Sequence, residues 1–134
     1  MTTSSEQRAS VLGSHKIMAF VATRDRARAK AFYGDTLGLR LVSEDPFAVV
    51  FDANGTMLRV STVQEVAVAN YTVLGWETPD IVATVKDLQK VGVKLERFEG
   101  FVDQDELGIW TAPGGARVAW FKDPDGNLLS VSQH

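Results

Sequence analysis

The chain has 134 residues, no cysteine and two histidines, and its 14 basic against 17 acidic groups give a formal charge of −3. That length fits one domain, and 45% apolar residues suffice for a core and are too many for a disordered chain. A disulfide staple, a zinc finger and a thiol nucleophile are excluded, and the mild acidity argues against nucleic-acid or membrane-surface binding.

Residues 1–14 are polar and small, with no apolar stretch, so they read as a flexible arm rather than a secretion signal. No run approaches the roughly 18 apolar residues of a membrane span. The expected location is the cytoplasm. Residues 15–22 alternate and read as a strand. Thr23 is the expected N-cap of a helix that carries Ala27, Ala31 and Phe32 on one face and ends near Gly38. Residues 39–43, 47–52 and 56–63 read as three further strands, with Asn54-Gly55 as a hairpin turn. The order then repeats. Residues 71–77 read as a strand, and Thr78-Pro79-Asp80 opens an amphipathic helix that stops at Gly92. Strands follow at 93–98, 116–122 and 127–133, the last two joined by the turn Asp123-Pro124-Asp125-Gly126.

Offsets support a duplication. Thr23/Thr78 and Asp25/Asp80 are 55 apart, AVVF at 48–51 matches VAWF at 118–121 at 70, and Gly55, Leu58, Val60 and Ser61 match Gly126, Leu129, Val131 and Ser132 at 71. Module 1 spans about 15–66 and module 2 about 67–134. Leu39 to Phe51 covers 12 positions and Val93 to Phe121 covers 28, so module 2 carries 16 extra residues around 99–115.

Three segments carry a family resemblance: TRD-x4-KAFY-x3-LGL at 23–39, GWETPDI at 75–81 and WFKDPDGNLLSV at 120–131. They resemble the glyoxalase/bleomycin-resistance/extradiol-dioxygenase superfamily, the vicinal oxygen chelate proteins, over about residues 15–133. The resemblance implies an α+β fold of two βαβββ modules, a cupped half-barrel of mixed sheet with outer helices and the site inside the cup. Metal-using relatives place His, Glu or Gln at four positions, which by the motifs fall on Met18, Arg59, Val73 and Ser130. Strand parity puts these four toward the cup and Ile17, Ala19, Val21, Leu58, Val60, Leu74, Trp76, Leu129 and Val131 toward the helices. A thioether, a guanidinium, an isopropyl group and a hydroxyl do not make a divalent-metal site. His15 and His134 fall off the ligand positions, so no metal and no cofactor are expected.

Arg59 is either an anchor for a carboxylate or phosphate, or the partner of Glu77, Asp103, Asp105 or Glu106. Trp120, Trp110, Phe20 and Tyr71 are candidate flat walls of the cup, though such rings usually serve packing. The extra segment, with Asp105, Glu106, Gly108 and Trp110, reads equally as a lid, an extra strand or a dimer contact. Residues 1–66 carry +1 and residues 67–134 carry −4, which favours pairing of subunits. The expected function is metal-free binding of a small organic anion or aromatic metabolite by a homodimer, as in the bleomycin-resistance branch. The alternatives are a metal-dependent lyase, isomerase or dioxygenase of the superfamily, and a scaffold without catalysis.

Overall fold

A computed structural model describes residues 11–134. Most of the arm expected over 1–14 lies outside the described residues. The first module runs β1 (Met18–Thr23), α1 (Arg26–Lys30) continuing into a π-helical turn (Ala31–Thr36), β2 (Arg40–Asp45), β3 (Ala48–Ala53) and β4 (Thr56–Thr62). The second runs β5 (Leu74–Glu77), α2 (Ile81–Lys90), β6 (Trp110–Thr111), β7 (Arg117–Lys122) and β8 (Leu128–Gln133). Each module forms a four-stranded mixed sheet, ordered β1-β4-β3-β2 and β5-β8-β7-β6. The two sheets do not close into a barrel.

The duplication extends to strand register. Phe20 pairs with Arg59 and Arg59 with Val50; in module 2 Gly75 pairs with Ser130 and Ser130 with Trp120. These are the same offsets of 55, 71 and 70 that the sequence shows. The helices also start alike. The carboxylates of Asp25 and Asp80 accept the amides of Arg28 and Ala83, each at 3.1 Å, satisfying donors that a helix start leaves free. Asp25 rather than Thr23 is therefore the N-cap of α1, and Pro79 precedes the cap of α2 rather than opening its first turn. After Lys30 the first helix widens: Leu37 donates to the carbonyl of Phe32, five residues back. The hairpin turn between β3 and β4 uses two left-handed residues, Asn54 at φ 52° and Gly55 at φ 100°.

Side-chain alternation sends one face of each sheet into a shared core. Val21, Val49, Phe51, Leu58 and Val60 come from the first sheet, and Ala119, Phe121, Leu129 and Val131 from the second. Ala29 and Tyr33 of the first helix and Ile81 and Val85 of the second join them. Ile17, expected in this core, is exposed, because β1 begins only at Met18.

The strand expected at 93–98 is the main departure. Only Leu95 pairs with β7, opposite Phe121, while Glu96 donates its amide to the carbonyl of Trp120. The other half of that edge is β6, where Trp110 pairs with Val118. In module 1 the corresponding edge is one strand with a single bulge between Leu41 and Ser43: Leu41 pairs with Phe51 and Asp45 with Ala48. Leu41 to Asp45 spans four positions, but Leu95 to Trp110 spans fifteen. The edge strand is thus opened in its middle by eleven residues, and the following hairpin holds the other five of the sixteen. The extra segment is an excursion out of one strand, with both ends fixed on β7.

Candidate functional site

The faces that do not enter the core carry the chemistry. On module 1 the row Phe20–Arg59–Val50 crosses β1, β4 and β3, with Met18 opposite Met57 one pleat away. Phe20 is 60% exposed and Met18 44%. Arg59 is half-buried, and among the described residues no hydrogen bond or ion pair is found on its guanidinium. Its field reaches Asp45, whose carboxyl is held below the usual carboxylate range chiefly by the amide of Phe47, with Ala48, Arg59 and Arg26 adding to the effect. None of Glu77, Asp103, Asp105 and Glu106 pairs with Arg59.

On module 2 the same row is Gly75–Ser130–Trp120. Ser130 is buried, and a side chain at Gly75 would place its Cβ 3.0 Å from the Ser130 hydroxyl oxygen. The absence of a Cβ is what lets β5 lie against that hydroxyl. Trp120 sits between two rings, Phe98 edge-on at 5.4 Å and Trp110 at 6.0 Å with 30° between the planes. Beside it opens a hollow of about 680 Å³ walled by Tyr71, Phe98, Phe101, Trp120, Val102 and Leu128. Among the described residues Lys122, 3.8 Å from Glu96, is its one charged lining residue. Val73 lies just ahead of β5, beside this face.

The excursion supplies two of these rings, and its base is tied down by polar side chains. Gln104 accepts the amide of Phe98 and donates to the carbonyls of Glu96 and Gly108, at 2.7, 3.0 and 2.8 Å. Arg97 donates to the carbonyls of Asp105 and Glu106, both at 2.6 Å. The Asp105 carboxylate accepts the amides of Leu107 and Ile109 at 2.9 Å, so that carboxylate is engaged in shaping the loop. The structure therefore gathers Met18, Phe20 and Arg59 on one open face, and Ser130, Trp120, Trp110 and Val73 on the other. Sequence reasoning missed Phe98 and Phe101. The available signal was their three-residue spacing across Gly100, which turns the loop at φ 84°.

The four positions at which the superfamily's metal ligands would fall do not fit a divalent cation. They offer a thioether, a guanidinium, an isopropyl group and a hydroxyl, and the guanidinium repels a cation. Among the described residues no group of three His, Asp or Glu side chains lies close enough to hold a metal.

Two βαβββ modules with open, partly apolar faces define an α+β fold of the glyoxalase type. The family model for the Glyoxalase/Bleomycin resistance protein/Dioxygenase superfamily matches residues 14–131, and the chain belongs to that superfamily. Among solved structures it resembles the bleomycin resistance determinant encoded on transposon Tn5, with 20% identity, 90% of this chain and 98% of that one covered, and a TM-score of 0.70. Lactoylglutathione lyase from Agrobacterium tumefaciens is similar at 20% identity, with coverages of 90% and 93% and a TM-score of 0.69. TnmS3, an antibiotic-binding protein from Streptomyces sp. CB03234, is similar at 24% identity, with coverages of 90% and 95% and a TM-score of 0.64. These likenesses establish the fold. No curated protein matches the chain. Among the described residues no helix is long and apolar enough to cross a membrane.

Proposed function

We propose that the protein binds a small organic anion or aromatic metabolite on its open faces without a metal, and acts by sequestering it in the cytoplasm. The observation that carries this reading is Arg59, a half-buried residue on an apolar face that makes no hydrogen bond or ion pair among the described residues and feels Asp45 only through its field. Holding such a group away from water is costly unless an anion meets it, and a ligand carboxylate or phosphate meets it in bidentate fashion. The hollow beside Trp120 supplies the aromatic surface. The name of one fold relative, an antibiotic-binding protein, agrees with binding, while that of another, a lactoylglutathione lyase, stands with the catalytic alternative. A homodimer belongs to the same reading. Phe20, Tyr71 and Phe101 are all more than half exposed, and a second copy laid over the open faces would cover them and close the cup.

The test is calorimetry and tryptophan fluorescence with a panel of aromatic carboxylates and phosphates. Arg59→Ala should lower affinity for the anionic members about 10- to 100-fold, the value of a charge-assisted bond, while the circular dichroism spectrum is unchanged. Equal affinity in the variant would remove Arg59 from the site. A stoichiometric divalent metal that survives dialysis and supports turnover would replace sequestration with family-type catalysis.

A further inference from the structure

The two modules meet through a turn that the proposed binding role does not use. Asp123, buried at the start of the β7–β8 turn, accepts the Tyr33 hydroxyl at 2.7 Å and the Asn127 side-chain amide at 2.8 Å. Its other oxygen accepts the backbone amides of Asp125 and Asn127 at 2.9 Å. Asp125 accepts the Thr23 hydroxyl at 2.6 Å and the Arg24 amide at 2.9 Å. Arg28 donates to the Pro124 carbonyl at 2.7 Å, and Asn127 to the carbonyl of Ala22 at 2.9 Å. One turn of module 2 thus grips the β1–α1 junction of module 1.

The duplication provides an internal control, because a mirrored grip would join the β3–β4 turn to the β5–α2 junction. At offsets of 55, 70 and 71, each of these clasp residues has lost its role. Tyr33 corresponds to Leu88, Arg28 to Ala83, and Arg24 to Pro79, which has no amide hydrogen. Asp123 corresponds to Ala53 and Asp125 to Asn54. Thr78, the counterpart of Thr23, bonds to Thr84 in its own helix at 2.7 Å. The packing differs in the same sense. Val21, Thr23, Ala29, Tyr33, Phe51 and Val60 are all buried. Of their counterparts, Phe121 and Val131 are buried too, but with Trp76, Thr78, Thr84 and Leu88 they line a hollow of about 290 Å³, completed by Glu77 and by Leu37 and Leu39 from module 1.

We propose that the two modules pivot on the Asp123–Asn127 turn, with the hollow beside Leu88 as the clearance that the motion uses. About the core that the modules share, a joint bonded on one side and hollow on the other has its softest direction toward the hollow, since close-packed interiors resist deformation and voids do not. The pivot alters the angle between the Arg59 face and the Trp120 face, and so the width of any cup they build.

The chain has no cysteine, so Asp35→Cys on the first helix and Lys86→Cys on the second provide unique dye sites. Energy transfer is read on doubly labelled chains diluted into excess unlabelled protein, which isolates distances within one chain. Leu88→Trp, which fills the hollow, should narrow the inter-dye distance distribution about twofold. Thr23→Val with Asp125→Ala, which frees the grip, should broaden it and raise hydrogen exchange at Arg24. Thr23→Val alone serves if the double variant does not fold. Identical widths in the wild type and in a folded Leu88→Trp variant would overturn the pivot. The measurement requires neither ligand nor dimer, so its failure is separate from failure of the binding role.

Discussion

Replacing Tyr33 by Phe deletes one oxygen from the centre of the molecule. The ring is fully buried and its hydroxyl donates to Asp123 at 2.7 Å. Asp123 is itself buried, but it keeps three other donors: the amides of Asp125 and Asn127 and the Asn127 side chain. The loss is therefore that of one charge-assisted bond, about 1.5–3 kcal/mol, and not the larger cost of an orphaned buried carboxylate. For a chain of this size such a loss lowers the melting temperature by roughly 5–12 °C. Calorimetry at pH 7 reads it directly.

The same hydroxyl makes an alkaline prediction. Burial, and next the negative charge of Asp123, push the Tyr33 pKa far above its ordinary 10.0. In the unfolded chain the phenol ionises near that ordinary value, while in the folded chain it keeps its proton. The unfolded state thus holds fewer protons above pH 10, and stability falls as pH rises beyond that point. Tyr33→Phe removes this group, so its melting temperature should decline less steeply between pH 10 and the end of the accessible range. A drop of less than about 2 °C at pH 7, or parallel alkaline declines in the two proteins, would refute the assignment of Tyr33 to the buried bond.

Two further outcomes bear on the faces themselves. Gln104→Ala removes the three bonds that fasten the excursion, so hydrogen exchange at Phe98, whose amide Gln104 accepts, should rise and aromatic-ligand affinity should fall about tenfold. Unchanged exchange would mean that Arg97 and Asp105 hold the loop without it. Phe20→Ser takes apolar area from an exposed position, so it should leave monomer stability within about 0.5 kcal/mol of wild type and weaken self-association in sedimentation equilibrium. Equal association in both proteins would place the contact between copies elsewhere.

What the sequence shows and what it hides divide along a physical line. Alternation and offsets are local properties, and they yield both sheets, the two matched helix starts and the faces of Arg59, Ser130 and Trp120. The segment 93–98 alternates from Val93 to Glu96, yet only Leu95 forms a bridge to β7. Pairing needs a partner along the whole length, and β7 gives its other half to Trp110 and Thr111. Thr23 reads as a cap because it is a hydroxyl before a helix, but its oxygen accepts the amide of Asp25, two residues on, and the Asp25 carboxylate takes the amide of Arg28 inside the first turn. The acidic excursion reads as a partner for Arg59, but Asp105 is engaged by its own loop amides.

The chemistry of the site follows from how the two copies of the module have diverged. Position for position, the same row of the same sheet is Phe20–Arg59–Val50 in one and Gly75–Ser130–Trp120 in the other. One copy keeps a charge and has no tryptophan beside it. The other has an aromatic floor, a hydroxyl where the charge would be, and no side chain across from it. Under the proposed binding role, a ligand that meets both rows carries an anionic group at one end and a flat apolar body at the other. Since each row lies on the face of its sheet turned away from the shared core, the angle between modules becomes a variable of recognition. A one-sided grip at Asp123 and a hollow at Leu88 give that angle room to change.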